Sequence, residues 1–160
     1  MQTVRNTTSG GPGKSKIYTL VDVIEVKSRE GKVKVIRADN MASDISRQGH
    51  IALHGIYFGT GKADMKPESK PTLEEIAKLL KAHPALKLHV VGHTDNQGAL
   101  SYNSELSKWR ADAAIQALTG DFRIVPTRLS GNGVAFLAPV APNGSEDGRA
   151  KNRRVELVEQ

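Results

Sequence analysis

Cysteine is absent from this 160-residue sequence, which excludes disulfide bonds, thiolate metal sites and a lipid-modified cysteine within these residues. No apolar run reaches the roughly 18 residues needed to span a bilayer. The first residues, Met1–Arg5, also lack the apolar stretch of a secretory signal. We therefore expect that this segment neither crosses a membrane nor directs its own export.

Aromatic residues are scarce, at 4% of the sequence, while the formal net charge is +6. A basic protein is attracted to polyanions such as nucleic acid, anionic lipid or a cell wall rich in carboxylates. Single-strand binders interleave basic and stacking side chains, and the one tryptophan, Trp109, lies in a helical pattern instead. We expect no nucleic-acid partner. The hydrophobic content of 38% is ordinary for one soluble globular domain.

The N-terminal part of the chain divides into two predicted segments. Residues 1–16 contain a Thr-, Ser-, Gly- and Pro-rich stretch, which predicts a flexible leader. Residues 17–48 form a predicted β-rich annex, with a hairpin over Ile17–Ile36 around a Gly-containing turn. A short helix is expected from Asp39 to Gln48, capped by Asp39 or Asn40 and ended by Gly49. No function is assigned to this annex.

Strand and helix patterns alternate in the third predicted segment, residues 49–160. Thr72-x-x-Glu75 resembles a capping box, and the Gly- and Pro-rich residues 131–148 predict a long loop. The alternation predicts an α/β or α+β fold in two layers. The expected elements are a strand at Ile51–Phe58, a helix from Pro67 or Thr72 to Ala82, a strand at Leu86–Val91, a helix at Ser101–Leu118, and strands at Thr127–Ser130 and Arg154–Val158.

Polar residues follow the predicted strand Leu86–Val91 in the run Gly-His-Thr-Asp that ends at Asp95. On the next helix, Asn103 and Arg110 are seven residues apart and therefore share one stripe. If the intervening loop folds back over that stripe, Asp95 and Arg110 face each other across a cleft. One carboxylate and one guanidinium would then converge on a single ligand, which indicates binding rather than catalysis.

These motifs resemble, in order and spacing, the OmpA-like (OmpA C-terminal) family of peptidoglycan-binding domains. The resemblance covers about residues 49–160 and implies a mixed β-α-β-α-β-β sheet with the helices on one face. The matching pieces are Ile56-Tyr57-Phe58, Lys66-Pro67-Glu68-Ser69, Val91-Gly92-His93-Thr94-Asp95, Tyr102-Asn103, Leu106-Ser107, Arg110-Ala111 and Asn152-Arg153-Arg154-Val155-Glu156.

The resemblance implies non-covalent binding of the diaminopimelate residue of the peptidoglycan stem peptide, whose free end carries an ammonium and a carboxylate. Asp95 would accept from the ammonium, and Arg110 would bind the carboxylate with its planar fork. Asn103 and Thr94 match positions that add neutral hydrogen bonds, and Arg154 matches one that braces the sheet or lines the groove rim. No cofactor is implied.

The same resemblance implies a periplasmic, cell-envelope or outer-membrane-associated protein that anchors a larger assembly to the cell wall. The leader or membrane anchor would then lie outside this segment. The oligomeric state, the preferred peptidoglycan chemotype and the anchored assembly stay open.

Three positions depart from the family pattern. Gly59 and Gly61 stand where polar side chains are common, so one side-chain contact to the ligand is expected to be missing. Trp109 precedes Arg110 where a polar residue is common, and we expect it to pack against the sheet edge rather than flank the groove.

The main alternative is a metal-dependent cell-wall hydrolase in which His93 and Asp95 supply metal ligands. Catalytic metal sites need about three protein ligands at defined separations, and the remaining histidines show no such spacing. A structural hydrogen-bonding role is favoured for His93. Asp95 and Arg110 could also pair with each other when no ligand is bound.

Overall fold

The computed structural model describes residues 35–160, and Val33–Gln160 forms one compact unit. The predicted leader and all but the last two residues of the predicted hairpin lie outside the described residues. The helices are α1 (Ala38–Gln48), α2 (Lys70–Ala82), α3 (Leu100–Gly120) and α4 (Glu146–Asn152), and the strands are β1 (His50–Leu53), β2 (Leu88–Gly92), β3 (Leu129–Gly133) and β4 (Val155–Glu159).

The four strands form one mixed sheet in the order β1-β4-β2-β3. Strand β4 pairs antiparallel with both β1 and β2, whereas β2 and β3 are parallel. Alternate residues of the strands are buried, among them Leu53, Leu88, Val90 and Leu157, and they share one core with apolar side chains of α1, α2 and α3. This arrangement confirms the predicted α+β fold with a mixed sheet.

Helix α1 begins and ends close to the predicted positions. Gly49 adopts the left-handed conformation, with φ of 77°, and its N–H donates to the carbonyl of Ile45. The predicted cap is wrong, because α1 begins after Arg37 without a side-chain cap, and the N–H of Ala38 donates to the Glu75 carboxylate of α2 at 2.9 Å. Met41 and Ile45 of α1 are buried in the core, so this helical part of segment 17–48 packs with residues 49–160.

The predicted capping box at the start of α2 is also wrong. A 3-10 turn, Pro67–Ser69, leads into α2 at Lys70, so Thr72 lies inside the helix and is buried. The hydroxyl of Ser69 bonds both main-chain groups of Tyr57, at 2.8 and 3.2 Å. Tertiary contacts therefore decide how this helix begins.

Strand β1 is shorter than predicted, ending at Leu53 instead of Phe58. Beyond it the chain lies close against α2, since a Cβ on Gly55 would come within 2.2 Å of the Thr72 hydroxyl. Phe58 then pairs only with Met65, in an isolated bridge. This departure from the sheet carries the chain toward α3.

The predicted long loop over residues 131–148 is wrong at both ends. Its first residues extend β3 to Gly133, and its last ones belong to α4, which begins after Ser145. The Ser145 hydroxyl accepts a hydrogen bond from the N–H of Gly148 at 3.1 Å, as an N-cap residue does. Helix α4 therefore interrupts the predicted β-β ending, and it contributes to the site described below.

Close contact between β2 and α3 depends on Gly92. A Cβ at this position would lie 2.0 Å from the carbonyl oxygen of Ser107, far inside van der Waals contact. Gly133 of β3 meets the same part of α3, where a Cβ would lie 2.4 Å from the N atom of Lys108. The exit of β2 is thereby held against the N-terminal half of α3.

Candidate functional site

A cleft of about 560 Å³ lies where the exit of β2 meets the first turns of α3. Four of the five predicted site residues line it, namely Thr94, Asp95, Asn103 and Arg110. The turn Gly59–Gly61 forms the opposite wall, and Glu146 and Arg153 come from α4 and the residue after it. The structure thus brings together the carboxylate and the guanidinium that the sequence singled out.

The Asp95 carboxylate pairs with Arg153, with Oδ2 2.7 Å from Nη1 of the guanidinium. Its other oxygen, Oδ1, accepts the N–H of Gln97 at 3.0 Å, which fixes the side chain over the following turn. The suggested pairing of Asp95 with Arg110 is wrong for this structure. Asp95 remains 9% exposed, so a ligand ammonium would have to share or replace the contact with Arg153.

Arg153 lines the cleft and pairs with Asp95, although it is not among the site residues expected from the sequence. Its second terminal nitrogen lies 2.6 Å from Glu146 of α4, so the guanidinium links two carboxylates at the edge of the cleft. Burial lowers the pKa of Arg153, but hydrogen bonds to Asp95 and Glu146 outweigh that effect and raise it above the ordinary value. Arg153 therefore remains cationic and orients Asp95.

Arg110 reaches the cleft from α3 and is only 7% exposed. Its Nε donates to the carbonyl of Lys62 at 3.1 Å, its Nη2 donates to that of Gly59 at 3.4 Å, and the guanidinium lies 5.2 Å from the centroid of the Phe58 ring. Burial lowers the pKa of Arg110, although a guanidinium stays charged in proteins.

No carboxylate of residues 35–160 lies within 4.0 Å of the Arg110 guanidinium. Buried charges are normally paired, because desolvation penalises an isolated ion. Arginine has five N–H donors, and the bonds to Lys62 and Gly59 use two of them. Arg110 can therefore still bind an anion through a planar pair of donors.

Thr94 and Asn103 complete the polar lining in different ways. The N–H of Thr94 donates to Ala135 at 2.9 Å, while its buried hydroxyl has no hydrogen-bond partner among the described residues. The Asn103 amide donates to the carbonyls of Gln97 and Ala99, at 2.8 and 3.2 Å. Asn103 therefore braces the loop that presents Asp95, and Thr94 contributes a buried, unpartnered hydroxyl beside the cleft.

Gly59 and Gly61 take part in the cleft through their main chain. The carbonyl of Gly61 accepts the Tyr102 hydroxyl at 2.8 Å, and that of Gly59 accepts from Arg110. Gly61 has a φ of 63°, which glycine adopts without strain. Trp109 is 49% exposed and does not line the cleft, so its packing against the sheet edge stays a prediction.

Arg154, the fifth predicted site residue, is not brought into this cleft. It is 4% exposed and faces a neighbouring pocket, where it pairs with Glu156 at 2.7 Å and donates to the carbonyl of Ala138 at 3.1 Å. The His93 ring, with Nε2 3.6 Å away, and Arg154 hold the pKa of Glu156 at about 2. Arg154 thus anchors the start of β4.

The structural role expected for the His93 side chain takes the form of one long contact, with Nε2 3.6 Å from the Glu156 carboxylate. His93 is 4% exposed, and neither ring nitrogen has a hydrogen-bond partner among the described residues. Within residues 35–160, no group of three or more His, Asp or Glu side chains is arranged to hold a metal ion. The hydrolase alternative, which needs His93 and Asp95 as metal ligands, gains no supporting cluster from the described part of the chain.

Fold and cleft together define a class of protein: an α+β domain in which the end of a central strand and the following helix present opposite charges to one open cleft. The chain belongs to the OmpA family, whose family model matches residues 57–153. None of the helices within residues 35–160 combines the length and apolar character needed to cross a membrane.

Known relatives and solved structures agree with this assignment. The outer membrane protein Omp38 of Acinetobacter baumannii is 37% identical over 100 residues, which are 62% of this chain and 28% of that protein. The probable lipoprotein YiaD of Escherichia coli is 34% identical over 142 residues, 86% of this chain and 62% of that protein. The chain thus spans less than two thirds of each of these relatives.

Among solved structures, the peptidoglycan-associated lipoprotein of Burkholderia pseudomallei superposes with a TM-score of 0.60 and 30% identity, covering 66% of this chain and 88% of that one. By name, these proteins are an outer-membrane protein and lipoproteins. They confirm the predicted location in the cell envelope.

Proposed function

We propose that this domain binds peptidoglycan non-covalently, by holding the free amino-acid end of diaminopimelate in the cleft between Asp95 and Arg110. The observation that carries the proposal is Arg110, a buried guanidinium with spare donors and no carboxylate partner within the described residues. A ligand carboxylate would supply that partner through charge-assisted bonds.

The remaining contacts suit an amino-acid head. Asp95 offers an acceptor for the ammonium beside Arg153, and the unpartnered Thr94 hydroxyl can bond either group. A zwitterion brings one charge of each sign, so the net charge of the cleft stays unchanged on binding. A plain cation or a plain anion would satisfy only one side of the cleft.

The biological role that follows is anchoring of an outer-membrane or periplasmic protein to the cell wall. The name of the peptidoglycan-associated relative supports this role. A single zwitterion in an open cleft should bind with a Kd on the order of micromolar to millimolar, because desolvation and lost motion offset much of the contact energy. Repeated stem peptides would raise the apparent affinity through avidity.

Sedimentation with isolated sacculi tests the proposal. Wild-type protein should sediment with sacculi, and Asp95→Ala and Arg110→Ala should each abolish most of that retention. Arg47→Ala is the matched control, because its side chain is 68% exposed on α1 and pairs only with Asp44. Retention unchanged in the Asp95 and Arg110 variants would refute the proposal.

Salt dependence separates this binding mode from a general attraction of a basic protein to polyanions. Nucleic-acid affinity falls steeply with salt when many phosphates are neutralised. Binding of one zwitterion should change only modestly between about 50 and 200 mM salt, since no net charge is neutralised. A steep salt dependence on sacculi, matched by the same dependence on DNA, would indicate the general attraction instead.

A further inference from the structure

A second, smaller pocket of about 190 Å³ lies behind the cleft. All the ionisable side chains that line it, apart from Tyr57, are Arg or His, and no Asp or Glu lines it. Arg110 and Arg153 are shared between this pocket and the cleft. The polar lining residues are His54, His93, Arg110, Arg153 and Arg154, with Tyr57 at one side.

His93 is the clearest sign that this pocket receives a ligand. The ring is 4% exposed, and neither Nδ1 nor Nε2 has a hydrogen-bond partner in the described structure. Nε2 has one long contact, 3.6 Å to the Glu156 carboxylate whose pKa it lowers, and Nδ1 has no polar contact within hydrogen-bond distance. A buried polar group without a partner is costly, and a ligand oxygen in the pocket would relieve that cost.

The electrostatics of the pocket favour an anion. Arg153 and Arg154 are already paired with carboxylates outside the lining, whereas Arg110 has none within 4.0 Å among the described residues. The pKa of His54 is lowered by burial and then by the positive charges of Arg154 and Lys151, against the opposing effect of Glu156. The lining of the pocket contains three guanidinium groups and no carboxylate.

We propose that this pocket is an oxyanion site, in which Arg110 and His93 bind one carboxylate or phosphoryl group. Its volume suits a compact anion, while the larger cleft retains the amino-acid head. The anion could be a second carboxylate of the ligand held in the cleft, which rests on the proposed function, or a free anion such as phosphate, which does not. Both sources present the same chemistry to the two side chains.

Titration of the full chain with inorganic phosphate, at constant ionic strength, tests the proposal by NMR of the histidine rings. The signals of His54 and His93 should shift saturably, with a Kd in the millimolar range. Those of His83 and His89, which do not line the pocket, should not follow the same curve. Absence of a saturable shift at His54 and His93 would overturn the proposal.

A matched pair of variants assigns the effect to the pocket. Ala150 lies on α4 and lines the pocket, so Ala150→Glu places a carboxylate where the anion would bind, while Ala150→Gln has nearly the same shape without the charge. Phosphate should bind at least about tenfold more weakly to the Glu variant than to the Gln variant. Equal affinities would place the phosphate elsewhere and refute the assignment. Circular dichroism checks that both variants fold.

Competition identifies the source of the anion. If the pocket binds a second carboxylate of the ligand, saturating phosphate should raise the apparent Kd of a diaminopimelate-containing stem tripeptide, and Ala150→Glu should do the same. If the anion is independent, Ala150→Glu should leave the apparent Kd of the tripeptide unchanged, whatever effect phosphate itself has through the shared Arg110. If the protein does not bind sacculi but phosphate still shifts the NMR signals of His54 and His93, the proposed function is refuted and the oxyanion site is not.

Discussion

Arg110→Lys tests the binding geometry at constant charge. The guanidinium spans two main-chain carbonyls, of Lys62 and Gly59, and still has donors for a ligand. A lysine ammonium has only three N–H donors and no planar fork. If it satisfies the same carbonyls, it has one donor left for the carboxylate instead of two.

The expected loss follows from that count. Removing one hydrogen bond to a charged group costs about 1.5–3 kcal/mol, which corresponds to a roughly 10- to 150-fold weaker Kd. Calorimetric or NMR titration with meso-diaminopimelate measures the change directly. The exposed exchange Arg47→Lys is the control, and it should leave the affinity unchanged.

Affinity of Arg110→Lys within about threefold of wild type would refute this reasoning. Such a result would mean that the position contributes charge alone, so that the planar donor pair has no role in binding. Thermal unfolding of the variant should be measured in parallel, because Arg110 is also packed over the Phe58 ring. Loss of binding in an unfolded variant would carry no information about the ligand contact.

Three further predictions concern stability. Glu156 has a folded pKa of about 2 against an ordinary 4.5, so the stability it contributes is present above about pH 4.5 and is lost as the pH falls toward 2. After discounting for partial exposure, this contribution to the free energy of unfolding is about 1–2 kcal/mol. Urea unfolding of Glu156→Gln at several pH values should lack that pH-dependent part. Gly92→Ala should lower the free energy of unfolding by about 1–3 kcal/mol through overpacking against Ser107, and it should weaken diaminopimelate binding. An unchanged melting temperature would contradict the close approach of Gly92 to Ser107. Arg128 donates to three carbonyls around the end of α2, at 2.6–3.0 Å, so Arg128→Met should lower the free energy of unfolding by about 2 kcal/mol without changing the affinity for the ligand.

The placement of Asp95 and Arg110 in one cleft was predictable because it depends on local pattern. The alternating strand before Gly92 and the seven-residue spacing from Asn103 to Arg110 are both visible in the sequence. The fold class follows from the same periodicities. Four of the five expected residues line the cleft: the local pattern indicated Asp95, Asn103 and Arg110, and the family resemblance implied Thr94.

The role of Arg153 could not be predicted because it depends on α4. This seven-residue helix contains Gly148 and has no apolar stripe, so periodicity does not detect it. One signal was present: Ser145 precedes two acidic residues, and basic residues follow at the other end, as helix capping and the helix dipole favour. Reading that signal would have placed Arg153 at the end of a helix and near the site.

The wrong helix caps have a different cause. Glu75 was expected to cap its own helix, but its carboxylate accepts from Ala38 at the start of α1. That contact joins residues 37 positions apart, and no local pattern contains it. The early end of β1 is similar, since the close approach of Gly55 to Thr72 belongs to the packed structure.

A crystal structure with meso-diaminopimelate tests the central claim most directly. We expect one amino-acid end of the ligand in the cleft, with its carboxylate on the Arg110 guanidinium, its ammonium on Asp95 and the Thr94 hydroxyl within hydrogen-bond distance. Ligand bound elsewhere on the domain, or a cleft in which Asp95 contacts only Arg153 at saturating ligand, would contradict that claim.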